Sequence, residues 1–180
     1  AINCYAKIKK YDEGFVLAKN LLKQNLTDEQ KDGVQLAFVV NGYSAAYKKM
    51  ITGKNHDYEG ASKIFNEILP YAEGQMKGKI QDKLACCWYF EGVQYAMRQQ
   101  YGLSLKCMIE ARQGYHAIGK TKDETDALCK IGSLHESLLN FEAANSAYQE
   151  ARKLAETLGN QVQLMEILRD LRKISQTLGD

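Results

Sequence analysis

Small and large apolar residues recur along this chain at spacings of three and four: Ser104, Met108 and Ala111, then Leu128, Ile131 and Gly132, then Ala144, Tyr148 and Ala151. One face of a helix repeats at that interval, whereas a half-buried strand alternates residue by residue. No Val-, Ile- or Thr-rich segment of useful length alternates. Leu, Ala, Lys, Glu and Gln dominate the periodic windows, and a single proline, Pro70, interrupts 180 residues. The pattern predicts an all-α fold, with glycines placed mainly where helices end or pack closely.

A second, longer period lies over the first. Shifting the sequence by forty positions aligns Gly92 with Gly132, Glu110-Ala111-Arg112 with Glu150-Ala151-Arg152, and Ile118-Gly119 with Leu158-Gly159, without a gap. A fixed period of this length marks stacked supersecondary units that cannot bury their apolar faces alone.

Within the period, Trp88, Gly92 and Tyr95 keep the spacing of a W-x2-L-G-x2-Y block, with Glu91 in place of its Leu, and Ser104, Met108 and Ala111 follow as a small, large, small block. Leu128, Ile131, Gly132 and His135, then Ala144, Tyr148 and Ala151, repeat the two blocks. The arrangement resembles the tetratricopeptide repeat, in the longer variant found in bacterial peptide-sensing regulators, in sensors of the Bacteroidetes type and in scaffolds of the kinesin-light-chain sort. Tyr58, Ala61 and Phe65 fit a less regular unit, preceded by a long helix over about 30–50 with Gly42 in the small position. Tyr11 and Gly14 open a still earlier helix. The resemblance implies one right-handed α-solenoid of four to five antiparallel helix pairs over residues 1–180. Its units would span about 1–26, 28–74, 80–119, 120–159 and a partial 160–180, as in a fragment of a longer chain.

In such repeats the first helix of each pair lines a concave surface that takes a protein or peptide partner. Carried over, its contact positions fall on Val39, Val40, Tyr43 and Tyr47, and on Tyr89, Phe90, Val93 and Met97. In the later units they fall on Asp126, Cys129, Lys130, Ser133 and Glu136, and on Glu166, Arg169, Asp170 and Lys173. The partner-binding residues expected are Tyr43, Tyr47, Tyr89, Phe90, Met97, Lys130, Arg169 and Lys173. Rigid aromatics bury area at low entropic cost, while charges orient a bound segment. The Lys and Asn clamp that holds chaperone C-termini is absent, since Val39 and Tyr43 stand in its place.

Composition narrows the chemistry. With 45% apolar and 26% charged residues the chain is an ordinary folded polypeptide, and a net charge of +2 leaves no nucleic-acid footprint. The basic pairs Lys9-Lys10, Lys48-Lys49 and Arg172-Lys173 read as solvated faces. Apolar runs such as 37–40 are far below the roughly 20 residues that cross a bilayer. Five cysteines, Cys4, Cys86, Cys87, Cys107 and Cys129, show neither a disulfide framework nor zinc spacing. His56, His116 and His135 lack neighbours at metal spacing, and no glycine-rich phosphate loop occurs. These readings lead to a non-enzymatic interaction module without metal or cofactor, sensory or scaffolding in role. The alternative is a structural spacer or oligomerisation segment, self-associating through its repeat ends.

Overall fold

The computed structural model describes residues 10–52 and 56–179. Among these residues there is no strand. Eight α-helices follow one another: α1 Tyr11–Leu21, α2 Asp28–Ile51, α3 Tyr58–Ile68, α4 Gly74–Met97, α5 Tyr101–Ala117, α6 Thr121–Ser137, α7 Phe141–Leu158 and α8 Gln161–Leu178. A short 3-10 turn at Leu69–Tyr71, built on Pro70, follows α3. Lys9 and Cys4, and the turn residues before His56, lie outside the described residues. The chain divides into two compact units, Ala1–Cys87 and Trp88–Asp180, with the boundary inside α4.

In the first unit α2 packs on α1 and on α3. Thr27 caps α2 through a capping box with Gln30, and Asp57 caps α3 by accepting from the Gly60 amide at 2.8 Å. The core is aromatic: Phe15 stacks on Phe38 at 5.0 Å, and Tyr71 meets Phe38 edge-on at 5.3 Å. Lys48 reaches Asp12 at 3.5 Å and Lys49 reaches Asp57 at 2.8 Å. Asp12 begins α1 and Asp57 precedes α3, so both short helices start beside the end of α2 and run antiparallel to it. Lys48 is exposed and Lys49 partly exposed, in keeping with the expected solvated face, and each also pairs with a carboxylate at the start of a neighbouring helix.

In the second unit α5, α6, α7 and α8 pack each on the next. Their connections turn through left-handed residues at twenty-residue intervals, Gln99, Gly119, Leu139 and Gly159, with φ of 59°, 71°, 58° and 64°, and Gly179 caps the end of α8 at 86°. Short turns of this kind reverse the chain, so consecutive helices are antiparallel. Ser104 Oγ donates to the Gly92 carbonyl at 2.7 Å, fixing α5 close to the end of α4. Beneath α6 the Tyr148 ring lies against Gly132 so closely that an added Cβ would stand 2.7 Å from it. Leu128, Ala144, Tyr148, Ala151, Ile167 and Leu171 form one buried cluster across α6, α7 and α8.

Candidate functional site

α6 packs on α5 and on α7, and two of its remaining polar side chains reach α8. Gln163 Nε2 donates to Asp126 Oδ1 at 2.6 Å, and Lys173 donates to Glu136 Oε2. Both bridges join residues 37 positions apart, and they lie ten residues apart on each helix. The two helices therefore run parallel, with α7 beneath them. Arg112 and Glu150 are joined in the same way between α5 and α7.

Between α6 and α8 lies an open groove of about 790 Å³. Cys129, Lys130, Ser133 and Glu136 line it from α6, Glu166, Arg169, Asp170 and Lys173 from α8, and Tyr148 from below. Leu139 and Phe141 close one end with apolar surface. Eight positions that the repeat pattern assigned to partner contact thus share one cleft. Lys130, Arg169 and Lys173 are exposed along it, while Glu136 and Asp170 sit lower and half-buried.

The electrostatics follow from that layering. Burial raises the Glu136 carboxyl, but hydrogen bonds from Lys173 and from Tyr148 Oη at 2.6 Å outweigh it, and the group lies below its ordinary value. Burial raises Asp170, with Glu136 and Glu166 adding to it against Arg169 and Lys173. Asp126 is raised by burial and by Asp123, in spite of Lys122 and the Gln163 hydrogen bond. Cys129 is pushed up to about 12 by burial and by Asp126, Asp170 and Glu166. A thiol so placed stays protonated and is a poor nucleophile.

The aromatic positions are distributed over both units. Tyr89 is half-buried, packing against the cluster of Met108, Ile131, Leu134 and Ala147. Its hydroxyl is raised by burial and by Asp126 and Cys129, so it borders the α6 face that lines the groove. Phe90 meets Tyr89 edge-on at 5.4 Å and is 41% exposed, and Met97 is 81% exposed. In the first unit Tyr43 and Tyr47 stack in parallel on α2 at 6.2 Å, with Tyr47 on the surface. Val39, one of the contact positions carried over from the repeat, is buried, while Leu36 and Tyr47 of α2 are exposed.

One cluster was not legible beforehand. Glu124, 4% exposed, lies 3.1 Å from His116 Nδ1 and 3.5 Å from Arg112 Nε, and Arg112 also reaches Glu150. Eight and twelve residues separate these partners from Glu124 across a helix turn, so no motif spacing announces them. Among the described residues no group of His, Cys, Asp and Glu could hold a metal ion. Nor is any helix there long and apolar enough to cross a membrane.

No protein-family model matches the chain, and neither does the sequence of any curated protein. Among solved structures, the crystal structure of BtubC (BKLC) from P. vanneervenii is similar over 99% of this chain and 70% of that one. The TM-score is 0.48 and the sequence identity 12%, too distant a likeness to assign a family.

Proposed function

We propose that this chain is a tetratricopeptide-like repeat module, a right-handed α-solenoid of the forty-residue type, that binds a segment of a protein partner. The observation that carries this reading is the α6–α8 groove, in which Lys130, Arg169 and Lys173 stand over half-buried carboxylates. Parallel alternate helices bridged at a constant offset, and left-handed turns every twenty residues, are what a stacked repeat requires. The groove supplies cations for the charged part of the segment, and Tyr89, Phe90 and Met97 supply apolar area for its hydrophobic part. Tyr43 and Tyr47 offer a second aromatic surface on the first unit. Since the Cys129 thiol stays protonated, this chemistry suits recognition better than bond-making.

The second reading, a structural spacer or oligomerisation segment, is favoured by the exposed apolar residues Val162 and Met165 of α8. Capture from a native extract separates the two. The wild-type chain and Gln149→Ala, on an exposed position of α7, are expected to retain the same partner, and the double variant Lys130→Glu, Arg169→Glu to lose it. Retention of that partner by the double variant at wild-type affinity would remove the groove from the account.

A further inference from the structure

The helix lengths of the first unit leave part of α2 uncovered. α1 and α3, with 11 residues each, start beside the end of α2 and run back along it for about 16 Å, less than half of its length of about 36 Å. Nearer its start, α2 is met by the 3-10 turn Leu69–Tyr71. Pro70 stiffens that turn, and Tyr71 is anchored edge-on against Phe38 at 5.3 Å. Between these walls and the start of α4 lies a cleft of about 410 Å³. Leu36, Val39, Tyr71 and Met76 line it, with the exposed carboxylates of Asp32 and Glu73 beside them. Leu36 is 67% exposed and Tyr71 44%. No lysine or arginine lines the cleft, and among the described residues neither Asp32 nor Glu73 makes an ion pair. Nor does the helix dipole account for Asp32: Asp28 and Glu29 already occupy the first turn of α2, and Asp32 lies beyond it.

We propose that this cleft holds a segment of another protein in which a large apolar side chain stands beside a lysine or arginine. The apolar side chain covers Leu36, Tyr71 and Met76, and the unbranched Met76 side chain adapts to its shape. The cation meets Asp32 and Glu73, for which the cleft offers no cation of its own. Two carboxylates beside an apolar cleft fix the register of such a segment and turn acidic segments away. The site is independent of the α6–α8 groove, since it lies wholly in the first unit, shares no residue with the groove and prefers the opposite charge.

The test selects short random peptides, displayed on phage, on the immobilised full chain and repeats the selection on Leu36→Ser. Peptides that Leu36→Ser fails to retain are expected to be enriched in an apolar residue adjoining lysine or arginine. One of them, synthesised with a dye, is then followed by fluorescence anisotropy. Leu36→Ser should weaken it about fivefold or more, and the pair Asp32→Lys, Glu73→Lys about tenfold or more, with unchanged far-UV spectra. Lys130→Glu in the groove should leave the titration unaltered. Sedimentation velocity of the wild-type chain and of Leu36→Ser asks whether a second copy fills the cleft instead. Failure to find any peptide that depends on Leu36, absence of basic residues from those that do, or indifference to the charge reversal would each overturn the proposal. So would loss of binding in Lys130→Glu, or self-association that Leu36→Ser abolishes.

Discussion

The two units build helix-on-helix contact in different ways. In the first, α2 has 24 residues and its neighbours α1 and α3 have 11 each, about 36 Å against about 16 Å of helix. One glycine, Gly42, receives Phe15 from α1 and Ile68 from α3. Its ion pairs Lys19–Glu67, Lys48–Asp12 and Lys49–Asp57, which join different elements, lie at the surface. In the second unit α5 to α8 have 17 or 18 residues each. Equal helices keep alternate ones in register, so side chains bridge from one helix to the second along at a constant offset. The regular unit therefore buries a carboxylate and carries an open charged groove, whereas the irregular one is held by aromatic packing and leaves Tyr47 of its stacked tyrosine pair at the surface.

That contrast breaks most sharply at Arg112. Arg112→Ala would take away the guanidinium that lies 3.5 Å from the buried Glu124 carboxylate and holds Glu150, and losing a charged partner of a buried acceptor should cost about 2 to 3 kcal/mol. Lys19→Ala, at an exposed pair of the first unit, should cost less than about 1 kcal/mol. Urea denaturation of both variants checks the difference, and equal midpoints would contradict it. Gly132→Leu should follow at about 2 to 3 kcal/mol, since the side chain would displace the Tyr148 ring, while Lys130→Ala on the exposed face should be near neutral.

Acidity sharpens the comparison further, because Asp170 belongs to the groove alone. A carboxyl raised in the folded state contributes stability below its ordinary value and loses it as pH rises through the folded value. Glu136, held low by Lys173 and Tyr148 against its burial, acts in the opposite sense and loses its contribution as pH falls through its lowered value. Asp170→Asn should therefore raise the melting temperature at neutral pH, by less than about 1 kcal/mol in stability. The gain should close below the ordinary carboxylate range, where the wild-type group is also neutral. A gain of equal size at pH 3 and pH 7 would sink this reading. The smallest effect expected is at Gly33 and Gly78, where nothing lies within 4 Å of an added Cβ. Alanine at either helical position should stabilise by about 0.5 to 1 kcal/mol in thermal melts.

The helical class and the second unit's register were legible because Gly132, Tyr148 and Ala151 carry their packing role in their size. The turn glycines Gly119 and Gly159 also marked helix ends in advance. Gln99 and Leu139 did not, although they take the same left-handed conformation, because neither residue type signals it. The eight contact positions gathered in the α6–α8 groove came from the repeat pattern, and six of them, Cys129, Lys130, Ser133, Arg169, Asp170 and Lys173, pair at an offset of forty residues. The Arg112, His116, Glu124 and Glu150 cluster stayed hidden, since it depends on how far each side chain reaches across a turn. Val39 failed for a related reason: in a helix pressed from two sides, a position that is open in a regular repeat becomes core.

The claim that the groove between α6 and α8 is where a partner lies is tested most directly by photocrosslinking from within the chain. A benzophenone amino acid replaces Lys130 in one protein and the exposed Gln149 of α7 in another, and both are irradiated in native extract. The account predicts a discrete crosslinked partner from position 130 and none from position 149. The same partner from both positions, or from position 149 alone, would contradict it.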